Sequence, residues 1–341
     1  MATIYDIART AGTSPATVSR VLNGRTGVKT DTARRIREAM EEVNFQPRWK
    51  AMERNRFLVL IPSAQGILNS GYVTRILSGM ADSAFRMGFN LVLRPFDTAH
   101  CNYRELRQLI VQEGAAGCFL ISLNDIYLPT SDINLIGLPH VVVGHKFQDD
   151  GLHQILFDDY HAGIDATQYL LALGHRNIAL VSFDISDRGH RDIHRGFMET
   201  MRGAGFESHA QHVQFRDSLP ESGRSAALRL LQPRERPTAV IISNEDLANG
   251  FLAETRAMGL DIPRDVSVIA FENAYSFDMT SPALTAMQTP VYASGVEAVK
   301  MLCAQMKQDH GGYAPTRSDP NTITLPIPLV VRHSTIARPQ A

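Results

Sequence analysis

His190 and His194 stand four residues apart where a helix is expected to begin, the spacing at which two imidazoles share one helix face and can grip a metal ion. No third ligand accompanies them, so they read as histidines near a cleft rather than a metal site. Cys101, Cys118 and Cys303 lie far apart without CxxC spacing, which supports neither a disulfide framework nor a cysteine zinc site. The patterns GxGxxG, GxxxxGK[ST] and GxSxG are absent and no acid/base constellation emerges, so neither an enzyme nor a bound cofactor is expected. What remains is electrostatic. Arg20 sits with Pro15, Ala16, Ser19 and Asn23 on the outer face of a short helix, inside a strongly basic segment.

That segment is visible only when the chain is divided. The 341 residues carry a formal charge of -1, which taken alone argues against a polyanion partner. Residues 1 to 56 hold eleven Lys and Arg against six acids, net +5, while the rest hold 23 bases and 29 acids, net -6. A small basic head on a larger acidic body fits a nucleic-acid-binding module attached to something of another kind. The length suits two or three domains, and an apolar share of 44% with 20% charged residues excludes disorder or fibre for the whole chain. No apolar run reaches the roughly 20 residues that cross a bilayer, and Met1 to Thr10 lacks the pattern of an export signal. The expectation is a cytoplasmic protein without membrane contact, which also argues against an exported transport-binding protein.

In the head, Ile4, Ile7, Ala8 and Ala11 form one helical stripe, with Thr3 and Asp6 spaced to cap its start. Gly12 and Thr13 supply a turn, and Ser14 followed by Pro15 marks a second helix start. Val18, Val21 and Leu22 point inward on that second helix, and a third helix runs from about 30 to 43 with Ala33, Ile36, Met40 and Val43 inside. Three short helices with a tight turn between the first two make a helix-turn-helix, whose second helix can enter a major groove. The segment TIYDIARTAGTSPATVSRVLNGRTGVKTDTARRIREAMEEVNFQP resembles, without gaps, the DNA-binding head of the LacI/GalR family of bacterial transcription regulators.

The resemblance implies roles. Pro15, Ala16 and Arg20 fall at the base-facing start of the recognition helix; Arg20 can pair bidentately with guanine, and the other two offer apolar contact. Ser14, Thr17 and Asn23 are placed for phosphates, which position the head without reading sequence. Lys29 stands where the family has a small capping residue, so Thr30 is expected to cap the third helix. Residues 46 to 56 correspond to a hinge that folds on DNA and wedges a leucine into the minor groove; Pro47 and Ala51 match, but Arg54 takes the leucine position and Met52 replaces an arginine. Three readings stay open: Arg54 enters a narrow minor groove electrostatically, Met52 or Trp49 serves as the wedge, or bending is weak.

Beyond residue 57, apolar runs (57 to 62, 89 to 96, 115 to 122, 139 to 145, 154 to 159, 177 to 184, 237 to 243, 265 to 272) alternate with amphipathic stretches (71 to 88, 102 to 114, 160 to 174, 191 to 205, 221 to 232, 244 to 259). Repeated strand-helix units imply two doubly wound parallel-sheet α/β lobes, with ligands expected beyond the C-terminal strand ends. The resemblance continues through LLALGHRNIALV, RPTAVIISNEDLANG and SPALTAMQTPVYASG, and implies a body like the periplasmic sugar-binding proteins, crossed three times by the chain. The domains are then 1–45 (head), 46–56 (hinge), 57–157 plus 291–318 (first lobe) and 158–289 plus 322–335 (second lobe). No heptad tail follows the body, so a homodimer on a pseudo-palindromic double-stranded DNA operator is expected, as a repressor controlled by a carbohydrate-like effector. By the same resemblance Ser70, Tyr72, His145, Lys146, Asn244 and Glu272 line the effector cleft. The family's effector arginine falls on Ile193, with Arg191 as its substitute, and its stacking aromatic falls on Ser218. The cations at 145 and 146 would favour an acidic or phosphorylated sugar.

Overall fold

The computed structural model describes residues 3–22, 28–43, 55–62, 68, 71–96, 103–121, 133, 138–144, 152–183, 187–206, 210–215, 217, 219–272, 275–308 and 321–338. The head is three helices: α1 (Ile4–Thr10), α2 (Pro15–Leu22) and α3 (Thr30–Glu42). Thr3 and Asp6 close a full capping box on α1, the hydroxyl taking the Asp6 amide and the carboxylate returning to the Thr3 amide. Ser14 accepts the Thr17 amide at 3.1 Å, so α2 starts where a serine before a proline places it. Ile7, Ala8, Ala11, Val18, Ile36 and Ala39 bury one small core, against which Ile4, Val21, Met40 and Val43 pack. The start of α3 departs from the expectation. The Lys29 carbonyl accepts the Ala33 amide, so Lys29 occupies the cap position and Thr30 is already the first helical residue.

The body is built from β1 (Arg56–Pro62), α4 (Gly71–Arg86), β2 (Asn90–Phe96), α5 (Tyr103–Glu113), β3 (Gly117–Ile121), β4 (His140–Val143), β5 (Gln154–Phe157), α6 (Asp159–Ala172), β6 (Ile178–Ser182), α7 (Arg188–Gly203), β7 (Ala210–Gln214), α8 (Pro220–Leu231), β8 (Ala239–Ile242), α9 (Glu245–Ala257), β9 (Ser267–Glu272), β10 (Thr285–Gln288), α10 (Val291–Gln308), β11 (Thr322–Leu325) and β12 (Leu329–Val330). Two six-stranded sheets result, ordered β11-β5-β4-β3-β1-β2 and β12-β10-β9-β8-β6-β7. Every described pairing is parallel except β10 with β12. Parallel strands are covered on both faces, which explains why β1, β3, β6 and β8 read as unbroken apolar runs rather than alternating ones.

The chain passes from the first sheet to α6 of the second lobe after Phe157, and returns into α10 after Gln288. The third passage corrects the sequence reading, which assigned everything from residue 322 to the second lobe. Thr322 to Leu325 pair with Gln154 to Phe157 as β11, the edge of the first sheet, and the crossing lies between Leu325 and Leu329. A polar, proline-containing stretch announces a loop but not which sheet edge receives the strand after it. Helix α7 also begins at Arg188 rather than 191, because Asp187 accepts the amides of Gly189 and His190.

Three helix pairs cross at backbone contact distance over reciprocal glycines. A Cβ on Gly79 of α4 would lie 2.0 Å from the Tyr292 carbonyl oxygen, and one on Gly295 of α10 would lie 2.2 Å from that of Ile76. Gly163 and Gly196 serve α6 and α7 in the same way, at 2.4 and 2.3 Å from carbonyl oxygens. Gly223 and Gly250 do so for α8 and α9, at 2.0 and 1.8 Å. Because backbone rather than a flexible side chain stands in the way, Gly163→Ala should force α6 and α7 apart and destabilise the body by about 1–3 kcal/mol. Thermal melts would show the midpoint falling by several degrees, whereas Gly203→Ala, whose Cβ meets nothing within 4 Å, should leave it unchanged or slightly raised.

Candidate DNA-binding face and effector cleft

On the head, Ala16 and Arg20 are exposed and Pro15 and Thr17 half-buried on α2, whose first turn is open to solvent. Ser14 and Thr17 share a hydroxyl contact of 2.8 Å that fixes the cap. The basic charge of the head is partly consumed locally. Arg9 pairs with Asp6 at 2.8 Å, and Arg34 pairs with Asp31 at 2.7 Å and Glu38 at 2.9 Å. Arg20 and Lys29 form no ion pair among the described residues, so their charges are the ones left to meet a polyanion. Asn23 and Arg54, with Trp49 and Met52, lie outside the described residues.

In the body, the C-terminal ends of both sheets meet across a cleft, the place where open α/β sheets bind ligands. Tyr72, in the first turn of α4, packs edge-on against Phe157 at 6.1 Å, just before the chain crosses to the second lobe. Gly144 leaves room for it: with φ of 85°, a Cβ there would stand 1.8 Å from the Tyr72 hydroxyl. Desolvation, then the charges of Asp159 and Asp187, hold that phenol protonated far above its ordinary range. On the facing wall Asp158 caps α6 and takes the His161 ring Nδ1 at 2.8 Å, while Asp159 caps nothing. Gly189 allows two carboxylates to converge, since a Cβ there would lie 2.9 Å from Asp159 Oδ2 and 3.3 Å from Asp187 Oδ1. Burial first, then Asp187, Asp192 and Asp158, pushes the Asp159 carboxyl up to about 8.

Asn244 caps α9 through its side-chain oxygen, which accepts the Leu247 amide at 2.9 Å. Its neighbour Glu245 reaches toward the other lobe, with Oε2 3.6 Å from where a Cβ on Gly71 of α4 would stand. Arg191 is exposed on α7. Ile193 is 2% exposed and packs in the second lobe's core, so the position where the resemblance puts an arginine has become structural. Glu272 ends β9 in register with Gln288, at the cleft edge of the sheet, and its side chain is outside the described residues, as are Ser70, His145, Lys146 and Ser218. His190 stacks edge-on with Phe183 at 5.2 Å, and burial lowers the pKa of His194. Among the described residues no three His, Cys, Asp or Glu side chains group to hold a metal, and no helix is long and apolar enough to cross a membrane. The sequence reading missed Phe157, Asp159, Asp187 and Glu245.

A helix-turn-helix joined to two cleft-forming α/β lobes defines a ligand-binding DNA-binding regulator. Residues 3–48 match the bacterial regulatory proteins of the lacI family, and residues 167–335 match a periplasmic binding protein-like domain. Catabolite control protein A of Priestia megaterium is 27% identical over 98% of this chain and 99% of its own. A transcriptional regulator CelR-cellobiose complex superposes with a TM-score of 0.70 at 22% identity, over 98% of this chain and 100% of that one. A lac repressor dimer bound to operator and the anti-inducer ONPF gives 0.67 at 22%, over 98% and 99%. The chain belongs to the LacI family of bacterial transcription regulators, and it is a regulator rather than an enzyme.

The raised carboxyl of Asp159 yields a stability prediction. A group whose folded pKa lies above its unfolded value of 3.8 contributes stability that is present below about pH 4 and lost as pH rises through about 8. The ligand-free wild type should therefore lose stability across that window relative to Asp159→Asn. Melting both proteins at a series of pH values should show the variant's advantage growing from pH 4 to 8 and levelling above. A constant difference would contradict the assignment.

Proposed function

We propose that the protein is a repressor that binds a pseudo-palindromic double-stranded DNA operator as a homodimer, with operator affinity set by a small, carbohydrate-like effector held between the lobes. The observation that carries the DNA reading is the open first turn of α2, with Arg20 exposed and unpaired among the described residues, in a segment of head and hinge (residues 1 to 56) of net charge +5. Arg20 reads guanine; Pro15 and Ala16 make apolar base contacts; Ser14, Thr17, Asn23 and Lys29 position the head on phosphates; and Arg54 enters the minor groove. Tyr72, Asn244 and Glu272, with Ser70, His145, Lys146 and Arg191, line the effector site. The operator-bound lac repressor dimer and the cellobiose complex of CelR support these readings by analogy of fold. So do the exposed apolar side chains Phe85 and Met279, 82% and 89% accessible in the single chain, which suit a surface covered by a second copy.

An effector shifts operator affinity only by its differential affinity for two arrangements of the lobes. The DNA reading is tested by operator titrations at several salt concentrations. Affinity should fall with a log-log slope near -0.9 per neutralised phosphate. Arg20→Ala should lose roughly 1–3 kcal/mol of preference for operator over mismatched sequence, while Lys29→Ala should weaken all sequences alike. Equal loss of preference in both variants, or salt-insensitive binding, would overturn the assignment.

A further inference from the structure

We infer that the hinge between the lobes is asymmetric: the second and third crossings form a stiff rail, and lobe rotation is taken up at Asp158 in the first. The inference rests on the reading that an effector between the lobes acts by shifting one against the other. Very little chain joins them. Asp158 alone separates β5 from α6; Thr289 and Pro290 separate β10 from α10; Pro326, Ile327 and Pro328 separate β11 from β12. With no slack in any crossing, a rotation of the lobes has to be absorbed by the backbone torsions of these few residues. In the second and third crossings those torsions are restricted. Pro290, Pro326 and Pro328 have φ locked at about -65° by their rings, and Thr289, Leu325 and Ile327, each preceding a proline, are held to extended conformations. Ile327 is also anchored, 4% exposed in the core of the second lobe. Pro290 already belongs to the start of α10, since its carbonyl accepts the Ser294 amide at 3.0 Å. The Gln288 amide donates to the Pro328 carbonyl at 2.8 Å, which ties the two proline-bearing crossings together at the second sheet.

Asp158 is under no such restriction. No proline flanks it, and its φ of -87° and ψ of 64° place it between the extended and helical regions, so a modest change of ψ carries it toward either. Its carboxylate accepts the His161 amide at 3.3 Å, so as the cap of α6 it turns with the second lobe. Its amide donates to the Leu325 carbonyl at 3.0 Å, the last residue of β11 before the third crossing, and rotation at Asp158 works against that bond. The pivot also lies where the effector is read to bind. Phe157 on one side packs edge-on against Tyr72 at 6.1 Å, and Asp159 on the other opens α6. A ligand that reaches Tyr72 and Asp159 thus bears on the two residues that flank the point of rotation, and the stiff rail keeps the movement from being lost in the other crossings.

Residue-resolved hydrogen exchange on the full-length protein provides the test, read at the Asp158 and Gln288 amides, whose bonds to Leu325 and Pro328 sit at the two ends of the third crossing. After correction for intrinsic rates, the Asp158 amide should exchange about tenfold or more faster than the Gln288 amide. Pro328→Ala should raise exchange at Gln288 by about tenfold and close that gap, while Pro220→Ala, at the start of α8 and outside every crossing, should leave it open. The amide of buried Ile241 in β8 gauges global opening in each variant, so a local change at the hinge is told from a loss of overall stability. Exchange at Gln288 as fast as at Asp158 in the wild type, or a gap that survives Pro328→Ala, overturns the asymmetric hinge and leaves lobe movement standing. If both hinge amides exchange only as slowly as Ile241, the lobes do not move short of unfolding, and the reading beneath the inference falls with it.

Discussion

The close approach of helix backbones over reciprocal glycines is the constraint on which the body depends. Parallel sheets must be covered on both faces, and with α6 touching α7, and α4 touching α10, the helix starts that flank the cleft are fixed to within the tolerance of backbone packing. Asp159 opens α6, Asp187 caps α7 and Tyr72 sits in the first turn of α4, so each takes its place from a helix end rather than from a loop. Gly144 and Gly189 do the same at closer range, since a methyl group at either would collide with the side chain that faces the gap. Removal of Cβ atoms thus serves two ends: it brings the helices together and it clears the floor between the lobes.

Electrostatics divides the molecule along its length. The head carries its excess of positive charge but neutralises Arg9 and Arg34 on its own helices, leaving Arg20 and Lys29, among the described residues, without an ion pair beside α2. The body carries the opposite excess and concentrates part of it where the lobes meet, at Asp158, Asp159, Asp187, Asp192 and Glu245. DNA repels such a body, so the bound state relies on the head and the segment that joins it. Screening within about 10 Å at moderate salt keeps the two ends from cancelling each other.

How far the sequence disclosed this depends on whether a feature is periodic. The head was legible almost to the residue, because capping pairs such as Thr3 with Asp6 and a stripe such as Ile7, Ala8 and Ala11 are local. Central strands were equally plain as apolar runs. The edges were not: β7 (AQHVQ) and β11 (TITL) are short, carry polar residues and gain their place only from a neighbouring strand, which is why residues 322 to 325 were assigned to the wrong lobe. At the site, Tyr72 and Asn244 were named because position within a family motif carries over. Asp159 and Asp187 were not, since an aspartate before a helix is read as a cap. Asp158 and Asp187 do cap their helices, and only the fold distinguishes Asp159, which caps nothing.

The enclosed carboxyl of Asp159 also suggests how a cleft of this kind can couple to DNA. Burial and the neighbouring acids of its own lobe push the Asp159 carboxyl up to about 8, so a lobe arrangement that admits water to it eases its ionisation. A ligand that touches both this carboxyl and Tyr72 of the other lobe does most for the arrangement in which the two are nearest, which is the closed one. Its affinity for the two states then differs by the contacts it makes with both lobes at once, and that difference is the quantity a regulator needs. A ligand held only by contacts equal in both arrangements would bind well and signal nothing. Strain at the cleft is therefore not a defect of packing but the part of the site that converts occupancy into a shift of the lobes.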